Sequence, residues 1–329
     1  MNIVLLMPIY NDWQSAAHLI RDCDRALALA GRQARVLLVD DGSDEDPGDD
    51  LDRVQPVAIS HIDILHLRCN LGHQRAIAIG LSYIEASLPC DAVVVLDGDG
   101  EDRPEDIDRL LKALEAGATP RVVFAERTKR SEGPAFAIAY WLYRVVHRIL
   151  TGHRVRVGNF AAVPSAILVR LVAVSALWNH FAAAVFHARI PYTTVPTSRG
   201  TRYGGRSHMS TVALVTHGLS AMSVFGDRIG VRSLVATLGV MLLLALATIA
   251  AVSWRLWLGV PLPAWVPYGA LLIVLAVQGA SIVLSFVFIV LAGRASPGFV
   301  PLRDYGHYVL RVTSVPLRLT DGSPGIHRD

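Results

Sequence analysis

The chain has 329 residues, a net charge of +3, 52% hydrophobic residues and a mean hydropathy of +0.41. Its basic excess is too mild for a nucleic-acid binder, which needs a strongly basic face, but suits a membrane surface or phosphorylated ligands. The three cysteines, Cys23, Cys69 and Cys90, have no CxxC spacing and read as reduced core thiols of a cytosolic domain, not as a disulfide framework.

The apolar run Ile3 to Met7 lacks a positive flank, and Pro8, Asn11 and Asp12 interrupt it too early for a signal peptide. It predicts a first strand over Asn2–Met7, with Pro8-Ile9-Tyr10-Asn11-Asp12 as the loop after it. A helix is expected over Trp13–Ala30, with Gly31 as its C-terminal stop. Val36–Val39 predicts the second strand, ending in Asp40-Asp41-Gly42-Ser43. Residues 44–56 are acidic, with Pro and Gly, and predict a loop or frayed helix. Ile62–Leu67 predicts the third strand, and Asn70-Leu71-Gly72-His73-Gln74-Arg75-Ala76 opens a helix running to about Ala86.

Val93-Val94-Val95-Leu96 then predicts a buried parallel strand that stops at Asp97-Gly98-Asp99-Gly100-Glu101. Four strands alternating with helices predict a doubly wound α/β domain. Such sheets bind ligands at the carboxyl ends of their strands, so Asp12, Asp41, Arg75, Asp97 and Asp99 are expected to face one crevice. Carboxylates at 97, 99 and 101 can converge on one hard cation, which would neutralise a diphosphate. The same residues also describe a solvated acidic turn after a core strand.

Pro104–Glu115 predicts another helix and Val122–Ala125 another strand, followed by the charged loop Arg127 to Gly133. Over 134–150, Ile138, Trp141, Leu142, Val145 and Ile149 share a helical face beside Arg144, His147 and Arg148. That pattern suits a helix in a membrane interface or one packed on a core, and periodicity alone favours the core. Gly158-Asn159-Phe160-Ala161 is read as preceding a helix through Leu177. A short strand over Ile190–Val195 leads to the basic, glycine-rich loop Arg199 to Ser207. His73, His153, His180 and His187 lack metal spacing, so their expected roles are structural; His73 alone sits in a motif and could touch a phosphate.

Leu234–Trp254 and Val266–Ala292 carry no charged residue, and each reaches the roughly 20 residues needed to cross a bilayer. A short link with Pro261 and Pro263 makes them a hairpin, and Trp254, Trp257 and Trp265 fit an aromatic belt. A buried helical pair in a soluble protein is the alternative. Arg228, Arg232, Arg294, Arg303 and Arg311 flank the pair, against Arg255 alone in the link, which predicts both termini on the cytoplasmic side. The expected organisation is a cytosolic domain over 1–207, juxtamembrane amphipathic helices over 208–232, two transmembrane helices over 233–293 and a cytosolic tail over 294–329.

Four motifs occur in order: Pro8-Ile9-Tyr10-Asn11-Asp12, Val39-Asp40-Asp41-Gly42-Ser43, Asn70-Leu71-Gly72 with Ala76, and Asp97-Gly98-Asp99. Together they resemble glycosyltransferase family 2, with its GT-A nucleotide-sugar-binding fold, over about the first two thirds of the chain. Within it, the later features resemble the polyprenyl-phosphate glycosyltransferases, including the dolichol-phosphate mannosyltransferase type. The resemblance implies a mostly parallel GT-A sheet with interfacial helices and a C-terminal transmembrane hairpin, in an enzyme of the inner (cytoplasmic) membrane. It implies an inverting transfer from a nucleotide-diphosphate sugar to a polyprenyl phosphate, with Mg²⁺ or Mn²⁺ as cofactor. Nucleic acid is not an expected partner, and self-association is compatible with the sequence.

Carried over position by position, the resemblance puts Pro8, Tyr10, Asp12, Asp41, Gly72, Arg75 and Asp97 at the nucleotide sugar. Asp41 would accept a hydrogen bond from the base. Asp97, Asp99 and Glu101 would hold the metal. Arg127, Arg130 and Arg202 would bind phosphates through the guanidinium fork, with Lys129 and Arg206 as electrostatic background. Asp97, Asp99, Asn159 and Arg202 would carry the chemistry, and Asp40 would be structural.

Two departures stand out. Relatives often carry Asp at the position of Asn159, and asparagine cannot act as a general base. A hydroxyl acceptor would need one, whereas a polyprenyl phosphate arrives ionised and needs only positioning and charge neutralisation. Glu101-Asp102-Arg103-Pro104 also replaces a Gln-Asp-Pro-Pro pattern. A processive polysaccharide synthase would carry a QxxRW motif, which is absent here. The remaining alternatives are another membrane or glycan acceptor, and a non-catalytic scaffold on a nucleotide-sugar fold.

Overall fold

The computed structural model describes residues 1–47, 50–51, 53–127, 145, 147–152, 157–203, 218–259, 266–295 and 298–316. At the centre is β1 (Ile3–Ile9), buried along its whole length. Its continuous apolar run is what a parallel strand covered on both faces requires. The strand runs two residues past its expected end, through Pro8 and Ile9. Pro8 is tolerated because the amide position of residue 8 points to the β4 side, beyond the last pair with that strand, Leu6↔Val95. No ladder bond is lost there.

Parallel to β1 lie β2 (Ala34–Asp40) on one side and β4 (Ala92–Val95) on the other, with β3 (Ile59–Leu67) beyond β2. The sheet continues through β6 (Val157–Pro164), antiparallel to both β4 and β5 (Val122–Arg127), to β7 (Tyr192–Thr197), parallel to β5. At the opposite edge β8 (Val309–Ser314) pairs antiparallel with β3. The described residues thus form a mixed, mostly parallel eight-stranded sheet in the order β7-β5-β6-β4-β1-β2-β3-β8.

Alternate residues of β1 enter opposite cores, as strand geometry demands. Ile3, Leu5, Met7 and Ile9 pack with α1 (Trp13–Leu29) and α3 (Glu105–Glu115). Val4 and Leu6 pack with α2 (His73–Ser87), α4 (Ser165–Leu171) and α5 (Phe181–His187). Trp13, Leu19, Ile20 and Leu27 dock α1, and each contributes roughly 1.5–3 kcal/mol of apolar burial. The helix stops as the sequence predicts. Gly31 turns left-handed at φ +65°, and Arg32 N–H donates to Leu27 O at 2.9 Å.

The second half departs from expectation in three places. Asn159 lies inside β6, and the stretch expected to lead straight into a helix is strand, because its Ala-rich segment is held between β4 and β5, where tertiary pairing overrides local propensity. The expected helix to Leu177 is α4 followed by a 3₁₀ turn at Ser175–Trp178. Residues 309–314, inside the expected tail, form β8 and close the edge of the sheet. The cysteines form no disulfide: Cys23 is buried, Cys90 half-buried, and Cys69 exposed, contrary to its expected core position.

The chain divides into two units. One comprises Met1–Pro134, Arg156–Val224 and Phe299–Asp329 and contains the sheet; the other comprises Ala135–Val155 and Phe225–Gly298. In the second, α6 (Gly226–Leu258) and α7 (Val266–Ala295) are long apolar helices in whose most apolar stretches almost no residue is buried. Close packing at Gly230, where an added Cβ would lie 2.6 Å from Val287, joins them as an antiparallel pair. Thr237, Thr248, Ser281 and Ser285 return their hydroxyls to carbonyls four residues back, leaving their donors satisfied without water. Arg232 donates to the carbonyls of Ile149 and Leu150 at 2.8 and 3.2 Å, so it also caps a helical turn. Most of the amphipathic stretch 134–150, residues 209–217 and Trp265 lie outside the described residues.

Candidate active site

The loops after β1 and β2 are tied into one rim. Asn11 adopts φ +50°, donates its amide to Ser43 Oγ at 2.9 Å, and accepts from Asp44 N at 2.9 Å through Oδ1. The Trp13 indole N–H donates to Glu45 O at 2.8 Å. Tyr10 stands exposed with its hydroxyl 3.4 Å from Asp44. Asp40 is structural, as expected: it accepts from Ser43 N and meets buried His66, whose other ring nitrogen meets Thr313 of β8, each at 2.9 Å.

Asp41 is buried, and its two oxygens accept the amides of Leu71 and Gly72 at 2.7 and 2.8 Å. Burial raises its pKa, and those two amides oppose the rise. It therefore fixes the turn that opens α2, a structural duty that leaves further lone pairs for a ligand. Gly42 is required for the same joint. It has φ +72°, and a Cβ would sit 2.7 Å from Asn70 N.

Beyond β4 the acidic turn is held from within. Asp97 N–H donates to buried Asp102 at 3.0 Å, and Glu101 N–H donates to Asp99 Oδ1 at 3.0 Å. The loop after β7 folds over this turn. Gly200 N–H donates to Glu101 O at 2.9 Å, Tyr203 N–H donates to Asp99 O at 3.2 Å, and Arg103 reaches Ser198 at 2.9 Å. Gly100, at φ +83°, lies against the Tyr203 ring, which stacks on His18 and donates its hydroxyl to Asp22. This seating brings two arginines onto the acids. Arg199 donates to Glu101 at 2.5 Å, and Arg202 stands 3.8 Å from Asp99 and 4.0 Å from Asp12. The Arg202 side chain is 23% exposed, and its buried Nε has no hydrogen-bond partner among the described residues.

From the other side, His73 Nε2 lies 2.9 Å from Asp97 Oδ1, and Asn159 Nδ2 lies 3.0 Å from that nitrogen and 3.4 Å from the same carboxylate oxygen. Burial lowers the His73 pKa, but Asp97, Asp99 and Asp41 outweigh it and the net shift is upward. Gln74 donates to Asn159 Oδ1 at 2.9 Å and accepts Phe181 N–H at 2.8 Å.

Asp12, Asp97, Asp99, Asn159 and Arg202 thus form a linked set, with Pro8, Asp41 and Gly72 on the strand ends and turns that frame it. Pro8 O lies 3.2 Å from where a Cβ on Gly98 would be. Arg75 is not among them: it lies over the Trp178 ring at 5.2 Å. Arg127 ends β5, and nothing is described of its side chain; Lys129, Arg130, His153 and Arg206 lie outside the described residues. His180 caps α5. Sequence reasoning missed Gln74, Asp102 and Tyr203. Only Gln74 left a signal, being a polar residue on an otherwise apolar helical face.

The expected three-carboxylate metal set is not assembled. Among the described residues no three acidic, imidazole or thiol groups stand together to hold an ion. Glu101 is committed to Arg199. The donor chemistry of Asp97 and Asp99 still fits a hard cation. Burial raises the Asp99 pKa, and neighbouring Asp97 and Glu101 raise it further, a strain that a bound cation relieves.

Residues 4–174 match the sequence model described as Glycosyl transferase family 2. The chain is 34% identical over 115 residues to undecaprenyl-phosphate 4-deoxy-4-formamido-L-arabinose transferase of Klebsiella pneumoniae (strain 342), covering 35% of this chain and 34% of the relative. The transferase of that name from Salmonella newport (strain SL254) is 31% identical over the same shares. The match therefore spans about a third of these curated relatives' length. Among solved structures, glucosyl-3-phosphoglycerate synthase from Mycobacterium tuberculosis, in complex with Mn²⁺, UDP-glucose and phosphoglyceric acid, aligns over 70% of this chain and 80% of its own, at 15% identity and TM-score 0.48. Mannosyl-3-phosphoglycerate synthase from Rubrobacter xylanophilus aligns over 70% and 74%, at 14% identity and TM-score 0.49.

Proposed function

The chain belongs to glycosyl transferase family 2, and we propose that it moves a sugar from a nucleotide-diphosphate donor to a polyprenyl phosphate at a membrane surface. The observation that carries this reading is Arg202. Its guanidinium reaches the acidic turn on the 198–203 loop without a hydrogen bond to either neighbouring carboxylate, and its buried Nε has no partner among the described residues. Such a group is made for a phosphate, which takes the guanidinium fork and repays its desolvation.

The donor's nucleoside would lie on the rim formed by Pro8, Tyr10, Asp12 and Asp41. Asp97 and Asp99 would hold Mg²⁺ or Mn²⁺, which when bound neutralises the diphosphate leaving group. In an inverting displacement, an acceptor phosphate oxygen attacks the anomeric carbon as the carbon–oxygen bond to the nucleoside diphosphate breaks and its electrons leave with the diphosphate. Asn159 cannot take a proton, and an ionised phosphate has none to give. Asn159 therefore suits positioning and not base catalysis, and such an acceptor needs only positioning and charge neutralisation.

Two further features support the membrane acceptor. The relatives that the chain matches are named for undecaprenyl phosphate. The apolar pair α6 and α7 would insert in the bilayer as a hairpin, flanked at both ends by arginines, with both termini on the cytoplasmic side. Purified protein is tested with nucleotide-sugar donors and a short polyprenyl phosphate, reading labelled sugar in the lipid fraction. Asp99→Ala should abolish transfer. Undiminished transfer by this variant sinks the metal assignment, and failure of wild type with every donor sinks the acceptor reading.

A further inference from the structure

The side-chain amides behind the acidic turn form a one-way chain. Phe181 N–H can only donate, and it sits 2.8 Å from Gln74, so the Gln74 oxygen must face it. The Gln74 NH₂ group is thereby turned to Asn159, 2.9 Å away, and the Asn159 oxygen must accept it. What remains is the Asn159 NH₂ group, which is thereby turned toward His73 Nε2 at 3.0 Å and Asp97 Oδ1 at 3.4 Å. Gln74 and Asn159 are both buried, so water does not compete to turn either amide.

We propose that Gln74 is a positioning residue. It carries the polarity of the Phe181 amide to Asn159, and so holds the Asp97 carboxylate in the orientation in which it receives a divalent cation. This rests on the reading that Asp97 and Asp99 bind the metal of the donor diphosphate. It assigns position 159 the work of a hydrogen-bond donor to a metal ligand, a place where a carboxylate would repel Asp97. Outer partners of this kind commonly change metal affinity by about 10–100-fold.

The test is a double-mutant cycle on Mn²⁺ binding by the purified full chain, counting free Mn²⁺ by electron paramagnetic resonance. Gln74→Met keeps the side-chain length and removes both polar groups. It should weaken Mn²⁺ binding roughly tenfold in the Asn159 protein and have no further effect in Asn159→Ala. An equal loss in both backgrounds, or no loss in the first, overturns the proposal. If Gln74→Met does not fold, Gln74→Ala, which leaves room for a water on the Phe181 amide, carries the same cycle. Sugar transfer by wild type is read separately. A protein that shows the coupled loss of Mn²⁺ but transfers nothing to polyprenyl phosphate keeps the relay and refutes the acceptor reading.

Discussion

Replacing Gly100 with alanine tests whether the loop seated on the acidic turn is part of the working site. An added Cβ would fall 2.2 Å from Tyr203 Cδ2 and Cε2. Carbon atoms rest about 3.5–4.0 Å apart, so the ring must retreat by more than ~1 Å. It is not free to do so, because its hydroxyl is bonded to Asp22 and its face stacks on His18. The left-handed φ of +83° costs alanine about 1–2 kcal/mol, and the overpacking costs roughly 1–3 kcal/mol more. Gly31 supplies the control. Its φ is +65° but nothing lies within 4 Å of an added Cβ, so Gly31→Ala pays the backbone cost alone. Thermal unfolding should therefore rank wild type above Gly31→Ala, and Gly31→Ala above Gly100→Ala. Transfer of labelled sugar should be normal in Gly31→Ala. In Gly100→Ala it should fall about 100-fold, the usual effect of a ~1 Å misplacement, because Arg202 adjoins the displaced tyrosine. If both variants melt together and Gly100→Ala keeps turnover within about twofold, the loop does not set the site.

Arg202→Lys keeps the charge but loses the fork, and should retain only a few per cent of turnover in steady-state assays, roughly a 2 kcal/mol loss. Asp41→Asn replaces one acceptor with an NH₂ group against the amide of Leu71 or Gly72; urea unfolding should show about 1–3 kcal/mol of lost stability. Arg32 donates to Asp108 at 2.7 Å and to both oxygens of Glu115 at 2.8 and 3.0 Å. The Glu115 pKa is lowered by its bonds to Arg32; burial opposes the drop at Asp108, but Lys112 and Arg32 outweigh it. Carboxyls with lowered folded values stabilise the fold above their unfolded pKa and lose that contribution as pH falls through the folded one. Arg32→Ala should thus cost about 1 kcal/mol at pH 7, discounted for the exposure of Glu115, and the gap from wild type should close below about pH 4. A gap that does not narrow at all as the pH is taken from 7 through the acid range would mean the arginine acts through packing.

The alternation of strands and helices in the first half, the carboxyl-end acids and the long apolar hairpin helices were legible in the chain, because each follows from a local pattern. Ile3–Ile9 and Ala92–Val95 are apolar without a break, as double-sided burial demands. Gly31 stops α1 through its own backbone conformation. Polar side-chain direction has no such periodic signature. Glu101 reads as a third ligand beside Asp97 and Asp99 until the loop after β7 brings Arg199 onto it from 98 positions away. Asn159 reads as part of a segment leading into a helix until β6 pairs with β4, and its amide is oriented by Gln74, 85 positions earlier. The return of β8 to the sheet is of the same kind. Thr313 meets His66 across 247 positions, and nothing near Thr313 in sequence foretells it. Burial and chain turns are written residue by residue in apolar spacing and glycine. The pairing of acids, amides and guanidinium groups is written only in the contacts that the folded sheet creates.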